Sequence, residues 1–307
     1  MRIGLISDLH LLSKTPENRI DDILDDQWVK LAFVLDYCQD NNIQHLLQAG
    51  DFFDKPRDWN TFNRTVGILN NYSDVSVFCV QGQHDKYMRN DDSVTNISLL
   101  SKLGLITLLN PEYVMYPGIK FWGIDFQDEM NVNKSIADMV NSNTLSKSDY
   151  NILVIHAPIT DTPLYPGHEF SQAQVVSKAN RDFNMILCGD IHKEFLIESK
   201  NRIIANTGPM IRKEYNDYNK NHTPNFLILD TDNNHISRII IPHNSFDTAF
   251  HKTENLPNKE ILSDFVAAIQ NPIQNDVNIF TCIERFIKDN NIDPNVSKII
   301  MEVVNES

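Results

Sequence analysis

Met1-Arg-Ile-Gly-Leu-Ile-Ser-Asp8-Leu-His10 opens the chain: a short apolar run that stops at an aspartate and, two residues on, a histidine. Ile3, Leu5 and Ile6 with Gly4 read as a buried strand, because the run is too short for a helix and too apolar for an exposed edge. Alternation along the chain then puts Asp8 and His10 on one side as it leaves the sheet. An oxygen and a nitrogen ligand aimed at one point make half of a metal site. Alone, such a pair more often marks a solvated strand end.

The pattern recurs along the chain. A polar loop with Pro16 leads to a helix from about Ile20 to Tyr37, whose Ile23, Leu24, Trp28, Leu31, Val34 and Leu35 recur at helical spacing. Gln44 to Ala49 is the next strand and ends in Gly50-Asp51-Phe-Phe-Asp54. After a helix between Trp59 and Asn70, the strand Val75 to Val80 ends in Gln81-Gly82-Gln83-His84-Asp85. This strand–helix rhythm indicates an α/β sheet, in which ligands gather at the C-terminal strand ends.

Leu105 to Leu109, Glu112 to Tyr116 and Ile119 to Ile124 read as short strands that begin a second sheet, with Pro117-Gly118 as a turn. The Asn- and Ser-rich segment from Asn131 to Ser148 is expected to be partly helical at most. Asn151 to Ile155 is a buried strand ending in His156, and Asn184 to Cys188 is another, ending in Gly189-Asp190-Ile-His192. Glu194 to Pro242 reads as a β-meander. Polar helices follow, around Asn258 to Ile269, Asn278 to Asp289 and Asn295 to Val304, so a boundary is expected near residue 243, giving segments 1–243 and 244–307.

Composition narrows the class. At 307 residues the chain can bury a full core. No apolar run approaches the roughly 18 residues of a membrane span, and Met1 leads directly into structure, so a cytoplasmic, membrane-free protein is expected. Cys38, Cys79, Cys188 and Cys282 are scattered without metal or redox spacing and read as reduced core residues. The net charge of −14 opposes broad, charge-driven nucleic-acid binding. Bound divalent cations would invert the local field, and a basic partner could supply phosphate contacts, so the substrate stays open.

Five strand ends thus carry Asp8/His10, Asp51/Asp54, Gln83/His84/Asp85, His156 and Asp190/His192. Carboxylates and imidazoles together suit a pair of borderline divalent ions better than an all-oxygen cage does. The series D-x-H, G-D-x-x-D, G-N-H-D, a strand-ending H and G-H-x-H is the signature of the calcineurin-like metallophosphoesterases, and residues 1 to 243 resemble that family. The N-terminal D-x-H, Phe183 to His192 and Asn206-Thr-Gly-Pro-Met210 resemble its SbcD branch, the meiotic-recombination-type DNA repair nucleases. The protein-phosphatase branch is less similar, because Lys55-Pro56 follows Asp54 and Asp85 stands where that branch has glutamate.

The resemblance implies a four-layer α/β/β/α sandwich of two mixed sheets, with a small C-terminal helical appendage. It implies a first metal on Asp8, His10, Asp51 and His192, and a second on Asp51, Gln83, His156 and Asp190. The ions would be manganese, with magnesium as the alternative. His84 would protonate the leaving oxygen or orient the phosphate, with Asp54 holding its imidazole. The resemblance also implies a nuclease acting on DNA in repair, recombination or replication, an SbcC-type coiled-coil ATPase partner docked on the C-terminal helices, and a homodimer. A stand-alone phosphoesterase on nucleotides or small esters, and a catalytically weakened scaffold, are the other readings.

Two departures fall on the second metal: Gln83 replaces asparagine and Asp190 replaces the first histidine of G-H-x-H. They either compensate, shifting the ion and its preference toward manganese or magnesium, or leave a weak second site. Lys86, Arg89 and Lys193, with Arg57, Arg64, Arg212 and Lys213, lie on loops near these strand ends. They form either a basic rim that grips a phosphate backbone or ordinary solvated charge.

Overall fold

Strand β1 (Arg2–Ile6) turns Ile3 and Leu5 to one side and Ile6 to the other, and both sides are buried. A strand apolar on both faces belongs between two layers. The computed structural model of the chain describes residues 1–88, 93–110, 113–127, 131–142, 145, 149–165 and 167–251. The chain divides into two compact units, Met1–His251 and Lys252–Ser307. The expected helices beyond residue 258, and Cys282, lie outside the described residues.

In chain order come α1 (Ile23–Asp40), β2 (His45–Gln48), α2 (Trp59–Leu69), β3 (Ser76–Cys79), α3 (Asn96–Lys102), β4 (Thr107–Leu108), β5 (Val114–Tyr116), β6 (Ile119–Ile124) and α4 (Val132–Ser142). They are followed by β7 (Tyr150–Ala157), β8 (Ile159–Thr160), β9 (Ser171–Gln172), α5 (Ala173–Ala179), β10 (Met185–Asp190), β11 (Phe195–Ser199), β12 (Arg202–Asn206), α6 (Asp217–Asn221), β13 (Asn225–Asp230), β14 (His235–Ile240) and α7 (Phe246–Ala249). None of the described helices is long and apolar enough to cross a membrane.

Two six-stranded mixed sheets result, ordered β14-β13-β1-β2-β3-β4 and β11-β12-β10-β7-β6-β5, with β8 and β9 as a separate pair. Both sheets have parallel strands at their centre. Alternation sorts the core into three bodies. Ile3, Leu5, Leu47, Phe78, Ile152, Val154, Met185 and Leu187 meet between the sheets. Ile6, Leu46, Val77 and Cys79 pack on α1 to α3, and Leu153, Ile155, Ile186 and Cys188 on α4 and α5. The layers are therefore helix, sheet, sheet, helix.

Two expectations are corrected. Thr107–Leu108 pairs with β3 and closes the first sheet, so the second sheet begins at β5. The supposed meander is two hairpins in different sheets: β11–β12 extends the second, whereas β13 pairs antiparallel with β1. Local pattern shows hairpins but not which distant strand each joins. Helices α3 and α5 were not expected; α3 is announced by the capping box Thr95/Ser98.

The buried face of α1 also carries Lys30, only 3 % exposed. Burial, then Arg19 and Arg212, lower its pKa from 10.5 to about 8. Between those values the unfolded chain holds the proton and the native chain does not, so stability rises with pH across that window, and below about 8 the whole penalty stands. Lys30→Met is therefore expected to stabilise the protein at pH 7 by on the order of 1–3 kcal/mol. Denaturant titration should find most of that gain gone near pH 10.5. An equal effect at both pH values would contradict burial as the cause.

Candidate metal centre

Past Ile6 the chain does not continue as a strand. Asp8 (φ 41°), His10 (φ 47°), Asp51 (φ 50°) and Asp190 (φ 88°) all occupy the left-handed region. Such backbone is costly for residues other than glycine and persists where the surroundings over-determine it. Strand alternation is therefore not what brings Asp8 and His10 together: two left-handed turns are. The tails of β1 and β2 stay side by side, with His10 N–H donating to Asp51 O (2.9 Å) and Leu11 N–H to Phe52 O (3.0 Å).

Asp8, His10 and Asp51 are fully buried, and with His192 their ligand atoms lie within 4.8 Å of one another. The Nε2 atoms of His10 and His192 face each other at 2.8 Å, and Asp51 Oδ2 is 3.5 Å from His10 Nε2. Asp8 Oδ2 and Asp51 Oδ2 are buried without a hydrogen-bond partner. An orphaned buried carboxylate oxygen is expensive. Two of them beside two opposed imidazole nitrogens are the donor set a divalent cation satisfies. Burial raises the Asp8 pKa well above the carboxylate range. Burial and then the Lys213 ammonium hold His10 well below the usual imidazole range and His192 at about 4. Neutral imidazole is the form that ligates.

Asp51 links this group to a second. Its Oδ2 is also 3.5 Å from His156 Nε2, and its Oδ1 accepts the His84 backbone N–H at 2.9 Å. His156 Nδ1–H donates to Ala49 O (2.7 Å), the backbone-carbonyl support that fixes a ligating imidazole. His156 Nε2 faces Gln83 Oε1 at 2.8 Å and Asp190 Oδ1 at 3.9 Å. Burial opposes both charges, yet each favours the other: His156 is pushed up to about 10, while Asp51 is held below the carboxylate range by His156, His10 and His84. The two departures from the family pattern touch, since Gln83 Nε2 donates to Asp190 Oδ1 at 3.0 Å. Gln83, His156 and Asp190 thus gather around Asp51, while the clusters whose ligand atoms all lie within 4.8 Å among the described residues are Asp8–His10–Asp51–His192 and His10–Asp54–His84.

Small backbone elements hold the two sheets' ends together. Asp190 N–H donates to Asp8 Oδ1 (3.1 Å) and Ser7 Oγ–H to Cys188 O (2.6 Å). A Cβ on Gly189 would lie 1.9 Å from Ala49 O, and one on Gly82 would lie 2.1 Å from Asp51 Oδ1, so only glycine permits the approach. Asp85 accepts from Phe52, Phe53 and Gly82 N–H at 3.0–3.1 Å, binding the β2 tail to the Gln83 turn. Burial and the Asp51 charge raise it to about 7, against those three amides.

Three expected contacts differ. His84 Nδ1 is held by the backbone oxygen of Asp54 (2.9 Å), not its carboxylate, which instead accepts from Lys213 Nζ (2.7 Å). Lys213 supplies the stronger partner for that carboxylate. Lys86 is tied to Phe126 O and Lys193 to Asp161, so neither ammonium is free, and Arg89 lies outside the described residues. Sequence reading missed Asp125 at the end of β6, where it accepts from Gln81 N–H (2.7 Å) and Asn110 (2.9 Å). An acid directly after an apolar run was the available signal. Of the other histidines, His45 packs against Phe78, Tyr116 and Phe121, and His168 stacks on Phe170.

Fold and site define a metal-dependent phosphoester hydrolase. Residues 1–194 match the calcineurin-like phosphoesterase family, and the chain belongs to it. No curated protein matches in sequence. Among solved structures, a dimetal phosphatase from Danio rerio superposes with TM-score 0.52 at 12% identity, covering 80% of this chain and 99% of its own. The protein TT1561 of Thermus thermophilus gives 0.51 at 11% identity, with 78% and 99% covered. A putative 5′-nucleotidase from Staphylococcus aureus gives 0.50 at 12% identity, with 82% and 56% covered. At such identities the likeness is one of fold.

Proposed function

We propose that this chain is a metal-dependent phosphodiesterase acting on DNA, the nuclease subunit of an SbcCD-like complex. The observation that carries the hydrolytic reading is the buried cluster in which Asp8 Oδ2 and Asp51 Oδ2 lack partners beside opposed imidazoles. The D-x-H of Asp8 and His10, Phe183 to His192 and Asn206 to Met210 support the nuclease branch. Asp8, His10, Asp51 and His192 would hold one ion, and Asp51, Gln83, His156 and Asp190 the other, with manganese or magnesium as occupants. Ions there would polarise the phosphoryl oxygens and lower the pKa of water.

The chain's own groups do the rest. Asp51 ties both halves of the site, and its Oδ1 anchors the His84 backbone. With Nδ1–H fixed on Asp54 O, the His84 imidazole presents Nε2 to the substrate, where it delivers a proton to the departing oxygen. Residues 244–307 would dock an SbcC-type coiled-coil ATPase, the chain would act as a homodimer, and cytoplasmic DNA repair or recombination would be its setting.

The full chain with manganese should hydrolyse single-stranded DNA and duplex ends, and chelator should stop it. Hydrolysis confined to p-nitrophenyl phosphate would favour a stand-alone phosphatase. Inactivity on every ester, even with the ATPase, would favour a scaffold.

A further inference from the structure

Asp125 carries a buried carboxylate, 5 % exposed, that belongs to neither ligand group. We infer that Asp125 is a positioning residue for the second ion: it fastens the Gln81–Asp85 turn to the second sheet and so holds Gln83 within reach of His156 and Asp190. This rests on the reading of Asp51, Gln83, His156 and Asp190 as that ion's ligands, and adds the residue that assembles them.

The second group draws its ligands from two sheets. Gln83 follows β3 in the first, whereas His156 lies in β7 and Asp190 ends β10 in the second. Asp85 ties the Gln83 turn to the β2 tail, which is again the first sheet. Asp125 makes the complementary tie. It follows β6, whose Ile124 pairs with Ile155, so it leaves the second sheet beside His156. Its Oδ1 accepts Gln81 N–H at 2.7 Å, and its Oδ2 accepts from Gln81 Nε2 at 3.3 Å. Phe126 N–H donates to Gln81 O at 2.8 Å, so both backbone groups of Gln81 are held, two residues before the ligand.

Neighbouring contacts converge on the same ligands. Lys86 Nζ donates to Phe126 O (2.8 Å), closing the turn from its far end, and the Phe126 ring stands edge-on to His156 with centroids 6.1 Å apart. The Gln83 amide then meets His156 Nε2 through Oε1 (2.8 Å) and Asp190 Oδ1 through Nε2 (3.0 Å). Glutamine is one methylene longer than the asparagine of the family pattern. It has one more torsion to fix, so its reach depends on where its backbone is held. A buried carboxylate is costly, and Asp125 offsets that cost through the two Gln81 bonds and one from Asn110 Nδ2 (2.9 Å).

Manganese titration of the chelator-stripped full-length chain, followed by calorimetry and by EPR of the coupled manganese pair, tests this without reference to activity. Asp125→Ala is expected to weaken the second ion about 10- to 100-fold, the usual cost of losing such an outer support, and to leave the first ion's affinity unchanged. The coupled-pair signal should fade with it. Asp125→Asn should stay within about threefold of the wild type, because its amide oxygen still accepts Gln81 N–H and the Asn110 amide can turn to accept from it. Asn110→Ala removes the other partner but spares the turn, and should keep both ions. Should Asp125→Ala not fold, Asp125→Glu makes the same test, since it keeps the charge but displaces the oxygen from Gln81. Three results would each overturn the assignment: equal weakening of both ions, second-ion affinity unchanged in the Ala or Glu variant, or the same second-ion loss in Asn110→Ala. Loss in Asp125→Asn as large as in Asp125→Ala would trace the effect to charge and overturn it too. A wild type that takes up a single ion would instead remove the two-ion reading, and this inference with it.

Discussion

Asp51→Asn is expected to lower metal-dependent hydrolysis on the order of 10³-fold or more. Asp51 is the one side chain shared by both ligand groups, with Oδ2 at 3.5 Å from His10 Nε2 and from His156 Nε2. Asparagine keeps the shape, and its oxygen can still accept the His84 N–H. The other position becomes an amide donor facing two imidazole nitrogens, where a cation needs an anion. Metal ions supply several kcal/mol of transition-state stabilisation, and at about 1.4 kcal/mol per decade that is on the order of 10³ in rate. Steady-state kinetics with manganese would measure the loss, and the metal-free melting temperature would show that the fold persists. A loss of tenfold or less would mean that Asp51 does not join the two groups functionally.

His84→Ala should cost about 10²- to 10⁴-fold in kcat while metal affinity is kept. The imidazole is fixed by Asp54 O through Nδ1, and its ring stands edge-on to His10 with centroids 5.0 Å apart; it lies outside the Asp8–His10–Asp51–His192 group and clusters with His10 and Asp54 at its border. Proton delivery has a further consequence. A nucleotide 3′ oxygen is a poor leaving group and needs the proton, whereas p-nitrophenolate does not. The variant should therefore lose much more on DNA than on bis-p-nitrophenyl phosphate. Equal losses would point to phosphate orientation as the role of His84, in place of proton transfer.

The strand ends were legible because each short apolar run stops at a ligand-type residue, and parallel strands place such ends side by side. Ile119 to Ile124 carries the same mark, ending in Asp125, which accepts from Gln81 N–H at 2.7 Å. What could not be read depends on distant closure. The tail after β12 returns over the site and brings Lys213 to Asp54 across 159 residues, which gives the Asp54 carboxylate an ammonium partner that no local pattern announces. Likewise, the pairing of β13 with β1 spans most of the described chain, and no local pattern announces it. The contact between Gln83 and Asp190 has the same character: the two departures looked independent in sequence and meet at 3.0 Å. The left-handed residues were hidden too, since Asp8, His10, Asp51 and Asp190 are held there by the site itself and not by their own preference.

Calorimetric titration of manganese into the chelator-stripped full-length chain tests the central claim, that the strand-end cluster is a metal centre whose halves share Asp51. The expected result is saturable binding of two ions per chain, with the binding lost in Asp51→Asn. No saturable binding by the wild type, or binding unchanged by that substitution, would contradict it.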